Sequence, residues 1–366
     1  MLVRSLSLRN FRCYEEAEVL PGEGMTVFSG SNAQGKTNLL EALHLCCTGR
    51  SHRTSRDEEL IRWGMPASNV CVRASQRDGT HEVSVQLFRG QKKKKSIRIG
   101  ARQAERIGEL FGHVFGVLFS PEDLLIVKGG PSERRRFLDM QISQLSPLYF
   151  YALQRAAHAL SQRNALLKAA FERPSLLSTL DQWDEQLSLS GAEVVRGRRD
   201  AVEALGVEAA LEHSRLTEGA EQVALRYTGD AAKDENPAEA LLRRLRETRE
   251  EDIRRGATTT GIHHDDVLIT INGKDARTYA SQGQQRSIVL SLKLAQTTYA
   301  ERVRGEAPIL MLDDVMSELD PQRRRQLIER IDHMQTFVTC TDISDLAGAR
   351  QGILYTVSQG RIQRET

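Results

Sequence analysis

Apolar residues along this chain repeat at two different periods, and the change from one to the other divides it into three stretches. Leu6 and Leu8 alternate with polar neighbours, and Met25, Val27 and Phe28 make a short apolar run ending at Ser29-Gly30, so residues 2–29 predict strands. A helix is expected at once over 36–47. Val70 and Val72, then Val83, Val85 and Leu87, then Ile97 and Ile99 stand at period two and predict two or three strands within 69–99. Residues 114–119 are a further buried-strand candidate. From Pro131 to about Arg255 the spacing changes. Tyr149, Leu153, Ala156, Leu160, Leu167 and Phe171 share one helical face, and Leu180, Trp183, Leu187 and Val194 share another after a break at Pro174. A third helix is expected over 237–255, with a short strand at 222–227 before it. Such stripes bury themselves helix against helix, as a bundle or a short coiled-coil hairpin. After Gly256 the strand period returns at Val267, Ile269 and Ile271. A helix from Gln284, a strand at 309–312, a helix at 322–331 and strands at 337–339 and 353–357 complete the chain. The reading is an α/β fold: a head made of 1–128 and 257–366, interrupted by a helical lobe over 129–256.

Composition narrows the classes without choosing among them. With 366 residues, two domains are the natural expectation, and 40% hydrophobic residues suit a globular core rather than a disordered chain. No run of about 18 apolar residues occurs, and the opening MLVRSLSLRNF lacks the apolar centre of a secretory signal. The cysteines, Cys13, Cys46, Cys47, Cys71 and Cys340, form no C-x-x-C pair and are odd in number, which suits buried thiols in a reducing compartment, so a cytoplasmic protein with no membrane partner is expected. A net charge of +2, from 51 basic and 49 acidic residues, neither demands nor forbids nucleic acid; clustering would decide.

The chemistry begins at GSNAQGKT, which fits G-x-x-x-x-G-K-[ST] between a strand and a helix. Backbone N–H groups of Gly30, Ser31, Asn32, Ala33, Gln34 and Gly35 would surround the phosphates of ATP, with Gly35 allowing close approach. Lys36 would reach the β- and γ-phosphates, and the Thr37 hydroxyl would ligate Mg2+. The second signal is ILMLDD, an apolar strand delivering acids at its C-terminal end, where an α/β nucleotide site expects its metal carboxylate. Asp313 would hold Mg2+, and Asp314 would orient or activate the attacking water, so Lys36 and Asp314 are the candidate catalytic pair.

The third signal is SQGQQR at the start of a helix, with Ser281, Gly283 and Gln284 as candidate nucleotide contacts; alone, such a cluster is usually a cap and turn. With SELD following the acidic strand, it resembles the signature and D-loop of ABC-type ATPases, in which two protomers share the nucleotide. The opening LSLRNFRCYEE and the insertion between phosphate loop and signature are similar to SMC-like repair ATPases rather than transporter subunits. GRSHRT, FSPEDL, GGPSERRRFLD, GIHHDD and LDDVMSELD, spread over nearly the whole chain, resemble the RecF family.

That resemblance implies an ABC-type ATPase head with a mixed sheet and a helical lobe like a short SMC coiled coil. It implies ATP-driven homodimerisation and binding of duplex, gapped or ss/ds-junction DNA. It also implies weak ATP hydrolysis and work with RecR, RecO and RecA in repair, fork maintenance and the SOS response. Arg12 is expected on the nucleotide by the same resemblance. The chain departs from the family pattern at His264, where members commonly carry Arg. Asp314 stands where ABC ATPases usually carry Glu, and its shorter side chain is consistent with slow turnover. FVTCTD also lacks the histidine that transporter ATPases place after the following strand. The rival readings are another SMC-like repair ATPase working with a nuclease, a transporter ATPase subunit, and a nucleotide-gated binding module.

Lys92, Lys93, Lys94 and Lys95 would tip a hairpin, either as a solvated turn or as contacts to the DNA backbone. Arg134, Arg135 and Arg136 would do likewise or brace the helical lobe. Aromatics are only 5% of the chain and interleave with no basic stretch, so duplex backbone recognition fits better than base stacking. His263, His264, Asp265 and Asp266 invite a metal, but adjacent residues entering a strand point to opposite faces, so none is expected. Trp63 and Trp183 are read as packing residues.

Overall fold

A computed structural model describes residues 1–346 and 352–365. The chain forms two compact units, 1–123 with 293–366 and 124–292.

The first unit opens with β1 (Leu2–Phe11), β2 (Tyr14–Val19), β3 (Met25–Ser29) and α1 (Lys36–Thr48). Strands β4 (Ala67–Gln76), β5 (Gly79–Phe88), β6 (Lys95–Ile99), β7 (Arg102–Gln103) and β8 (Gly116–Phe119) follow. The second unit holds α2 (Leu125–Lys128), α3 (Pro131–Leu145), α4 (Pro147–Ala169), α5 (Leu180–Leu216), β9 (Val223–Thr228), α6 (Pro237–Glu247) and α7 (Arg249–Arg255). It continues with β10 (Asp266–Ile271), β11 (Lys274–Asp275) and α8 (Ala276–Tyr279), and α9 (Gln282–Arg304) carries the chain back to the first unit. There β12 (Ile309–Asp313), α10 (Pro321–Ile331), β13 (Thr336–Cys340), β14 (Ile353–Ser358) and β15 (Arg361–Arg364) complete it.

Two six-stranded sheets build the first unit. One is antiparallel, in the order β2-β1-β4-β5-β6-β7, and the other runs β15-β14-β3-β13-β12-β8. In the second sheet only β15 is antiparallel, so β3, β13, β12, β8 and β14 all point their carboxyl ends the same way. Strands β8, β12 and β13 are buried at every position and read as unbroken apolar or small-residue runs, as a parallel strand covered on both faces should. Helix α1 packs against β1, β4 and β5 of one sheet and β8, β12 and β13 of the other. Hence every residue from Leu39 to Thr48 is buried, and the helix is apolar on all sides rather than along one stripe.

The second unit is larger than the insertion expected over 129–256. β10 pairs with β9 along its whole length, from Asp266 opposite Thr228 to Ile271 opposite Val223, so residues after Gly256 fold with the helices and not with the head. Helix α5 runs 37 residues, well past the stripe read to Val194, and buries Leu187, Val194, Val195, Arg198, Ala201, Val202, Leu205 and Ala209 at three-four spacing. The helix expected over 237–255 is two, because Thr248 (φ −91°, ψ 2°) ends α6 and caps α7. Charge is buried here too. Arg163 is fully buried between Asp184 (2.6 Å) and Asp252 (2.7 Å), themselves fully buried. Arg198 likewise spans Asp139 and Asp265, each at 2.9 Å. Burial pushes Asp265 up to about 6, against the opposing pull of Arg198 and of the Tyr227 hydroxyl that donates to it.

Candidate functional site

The parallel register puts the phosphate loop and the acidic strand side by side. β13 lies between β3 and β12, with Thr339 opposite both Phe28 and Asp313. The ends of β3 and β12 therefore emerge at one edge, and α1 starts there. The loop from Gly30 to Thr37 turns on positive φ at Gly30 (154°), Ala33 (63°) and Gly35 (114°). Gly35 is dictated twice over, because a Cβ there would stand 2.6 Å from Cys13 Sγ and 3.0 Å from Tyr14 Oη. Tyr14 Oη donates to the Gly35 carbonyl at 3.0 Å, and the Gln359 N–H donates to Gln34 Oε1 at 2.7 Å, so the loop is held from two sides. Ser31, Asn32 and Ala33 are exposed.

Lys36 Nζ donates back to the Gly30 carbonyl at 2.5 Å and the Ser31 carbonyl at 3.0 Å, closing the loop on itself. Burial lowers its pKa, opposed by the charges of Asp314 and Asp313. Thr37 Oγ1 and Thr339 Oγ1 each donate to Asp313 Oδ1 at 2.8 Å. Burial raises the Asp313 pKa and those hydroxyls lower it, but no cation forms an ion pair with it among the described residues. A buried carboxylate beside a hydroxyl, with no counter-ion, is the donor set a hard divalent cation fits. The first N–H groups of α1 have no intrahelical partner, which fits an anion in the loop. Asp314 sits at φ 54°, its N–H donating to Thr339 Oγ1 at 2.9 Å and its carbonyl accepting from Ser317 Oγ at 2.8 Å. Lys36, Thr37, Asp313 and Asp314, far apart in sequence, are thus brought together. Thr339, read only as part of a strand, joins them.

Arg12 is engaged elsewhere than expected. Its Nε and Nη2 donate to both oxygens of Glu41 at 2.8 and 2.7 Å, and its Nη1 donates to the Glu59 carbonyl at 2.9 Å. Glu41 is fully buried in α1 and also accepts from Ser51 Oγ at 2.5 Å. Burial pushes its carboxyl up, but the hydrogen bonds from Arg12 and Ser51 outweigh that and hold it below the ordinary glutamate value. In the second unit Ser281 caps α9: its N–H donates to Gln284 Oε1 at 2.8 Å and its Oγ accepts from the Gln284 N–H at 3.3 Å. Gln284 Nε2 reaches Glu221 at 2.8 Å, and a Cβ on Gly283 would meet nothing within 4 Å. The cap and turn that the sequence allows is present, with open space at Gly283.

A family model described as an AAA domain matches residues 5–337. The "DNA replication and repair protein RecF" of Ruminiclostridium cellulolyticum is 42% identical over 348 residues, covering 93% of each chain. That of Lachnoclostridium phytofermentans is 40% identical over the whole of both. The chain belongs to the RecF family. Among solved structures, "the recombination mediator protein RecF-ATP in RecFOR pathway" superposes with TM-score 0.93 and 32% identity, covering all of this chain and 98% of that one. An Smc head domain from Pyrococcus furiosus, at 17% identity and TM-score 0.59, shares the fold. The α/β, SMC-like head read from the RecF motifs is therefore the observed fold.

The lysine run, the arginine run, GIHHDD and the two tryptophans have the following places in this RecF-family chain. Of the four lysines, Lys95 is held by Asp57 (2.9 Å) and the Gly49 carbonyl (2.7 Å), and Lys94 pairs with Glu58 (3.3 Å). Lys92 and Lys93 are exposed and have no acidic partner among the described residues. Arg134 and Arg135 are spent inside the second unit, on Asp266 (2.7 Å) and the Asp265 carbonyl (2.6 Å), so they brace it. Arg134 thus occupies the Asp266 carboxylate, while that of Asp265 is held by Arg198 and Tyr227, and no group of metal-ligating side chains occurs among the described residues. Residues 263–265 lie in a turn, with only Asp266 in β10. Trp183 is half-buried against His158, but Trp63 corrects the packing reading: it is 91% exposed. Its place on a two-residue turn tip leaves nothing to pack against. No helix among the described residues is long and apolar enough to cross a membrane.

Proposed function

We propose that this RecF-family chain is an ATP-gated DNA-binding protein of recombinational repair and replication-fork maintenance. The observation that carries the reading is the meeting of Thr37 and Asp313 at 2.8 Å beside the Gly30–Thr37 loop. The loop N–H groups and the α1 N-terminus bind the phosphates of ATP, and Lys36 swings from the Gly30 and Ser31 carbonyls to the terminal phosphates. Thr37 and Asp313 hold Mg2+, which when bound neutralises phosphate charge. Asp314 orients the attacking water, and its short side chain accords with slow, DNA-stimulated hydrolysis. Ser281, Gly283 and the open start of α9 bind the terminal phosphate held by a second copy, so that ATP joins two protomers around DNA. Arg12 reaches the nucleotide only by releasing Glu41.

The differential affinity of the open and joined states for ATP makes the device a switch, and hydrolysis resets it. The RecFOR pathway named for the solved relatives supports RecR and RecO as partners in loading RecA at gapped, ss/ds-junction DNA in the cytoplasm. The test is analytical ultracentrifugation without nucleotide and with ADP, ATP or a slowly hydrolysed analogue, each with and without duplex DNA. ATP should drive dimerisation and DNA retention, and Ser281→Arg should abolish both while sparing ATP binding. A protein that stays monomeric with ATP bound and ignores DNA refutes the clamp.

A further inference from the structure

Trp63 is the most exposed large apolar side chain described, and it is held out on a rigid mount. The Met65 N–H donates to the Arg62 carbonyl at 3.0 Å, and Gly64 takes φ 79°, so 62–65 form a tight turn with Trp63 at its first corner. The turn cannot swing away. Phe11 bridges Ile61, the Arg62 N–H donates to the Asn10 carbonyl at 2.8 Å, and the Arg12 N–H donates to the Leu60 carbonyl at 2.8 Å. On its other side the Arg89 N–H donates to the Pro66 carbonyl at 2.8 Å, and the Arg89 guanidinium donates to the carbonyls of Glu58 (3.3 Å) and Ile61 (3.2 Å). The hairpin that carries Lys92 and Lys93 is thereby fixed to the turn that carries the indole.

The surroundings say what kind of ligand suits it. Among the described residues of 56–66 and 88–95 no other large hydrophobic side chain is exposed, so the segments that carry the indole add no apolar neighbour to it. The acids of 56–66 each have a cation, Asp57 in Lys95, Glu58 in Lys94 and Glu59 in Arg56 at 3.9 Å, and Glu15 pairs with Arg62 at 3.2 Å. What remains is an isolated indole face and, on the hairpin tied through Arg89 to the same turn, two exposed cations, Lys92 and Lys93. Single-stranded nucleic acid is bound by that pairing, bases stacking on an aromatic ring while cations follow the phosphates.

We propose that Trp63 stacks an unpaired base of single-stranded DNA while Lys92 and Lys93 contact its phosphates. This rests on the DNA-binding reading above and adds a single-strand contact to it, where composition alone had favoured duplex backbone recognition. Only two tryptophans occur in the chain, so Trp183→Phe leaves Trp63 as the sole indole reporter. In that full-length background, with ATP, indole fluorescence is followed as a duplex bearing a dT overhang or a blunt duplex is added. Anisotropy of labelled DNA measures affinity in parallel.

Overhang DNA should quench Trp63 and blunt duplex should not. Trp63→Ala should weaken overhang binding by about tenfold to a hundredfold and leave blunt-duplex affinity unchanged, while Trp63→Phe keeps most of the affinity. Lys92→Gln with Lys93→Gln should lower the salt dependence of overhang binding. Binding without quenching, or equal losses on both DNAs in Trp63→Ala, overturns the stacking contact and leaves DNA binding standing. Unchanged DNA affinity with the indole shielded only by an added protein gives Trp63 to a protein partner instead. Absence of any DNA binding removes both readings.

Discussion

Replacing Glu41 with Gln removes one charge from the interior of the nucleotide-binding unit and changes almost no volume. The carboxylate is fully buried, and it accepts both Arg12 donors and the Ser51 hydroxyl. A Gln amide turns an NH2 group toward a guanidinium, so at least one Arg12 donor loses its acceptor. Breaking a buried ion pair from one side costs about 3–5 kcal/mol. Arg12 is 20% exposed and keeps the Glu59 carbonyl, which places Glu41→Gln near the lower end, about 3 kcal/mol. Hydrogen exchange at the α1 and β1 amides, limited by opening of this unit, should then speed up about a hundredfold at pH 7.

The pH dependence has a definite sign. Glu41 is held below its ordinary value of 4.5 in the folded state, so its contribution is complete above that value and is lost as pH falls through the folded value. The gap between wild type and variant should be constant from pH 7 to about 5 and narrow at more acid pH. A deficit under about 1 kcal/mol at pH 7, the scale of a surface pair, would refute the argument. So would a gap that stays unchanged down to pH 3.

Two further changes probe the loop and the second unit. Gly35→Ala puts a Cβ at φ 114° and 2.6 Å from Cys13 Sγ, so binding of a fluorescent ATP analogue should fall at least about tenfold with far-UV circular dichroism unchanged. Adding Cys13→Ala removes the closest collision but neither the Tyr14 contact nor the dihedral, so restored binding in the double variant would show that the dihedral argument is wrong. Arg163→Met leaves Asp184 and Asp252 buried without their shared cation, and should destabilise residues 124–292 by about 3–5 kcal/mol, read as faster exchange in α4 and α5. Most of that loss should return in Arg163→Met/Asp184→Asn/Asp252→Asn; a triple variant no more stable than the single one would mean that packing, not charge, is what Arg163 supplies.

The phosphate loop and the acidic strand were legible because their signals are local. Strand, glycine turn and helix occupy consecutive residues, and a five-residue apolar strand ending in Asp313 announces its own burial. Their meeting at Thr37 was also within reach, since parallel strands deliver their carboxyl ends to one edge. Thr339 was not, because its role depends on β13 lying between β3 and β12, a matter of strand order that no local period encodes. Glu41 left a trace that can be recognised: it is the one acid in KTNLLEALHLCCT, and a lone carboxylate in a helix apolar on all sides needs a buried partner. What that trace cannot name is the partner, because Arg12 and Ser51 reach it from separate loops.

The boundary at 256 failed for a related reason, and the failure is informative. Val267, Ile269 and Ile271 announce a strand equally well in either unit, and period two says nothing about which sheet receives it. β9, a single short strand among helices, is what claims it. A lone strand cannot satisfy its own backbone, so one strand inside a helical stretch implies a partner strand from outside it. Applied to 222–227, that rule assigns β10 to the helical unit and carries the boundary to the middle of α9. The signature residues Ser281, Gly283 and Gln284 then belong to the unit that does not carry the phosphate loop.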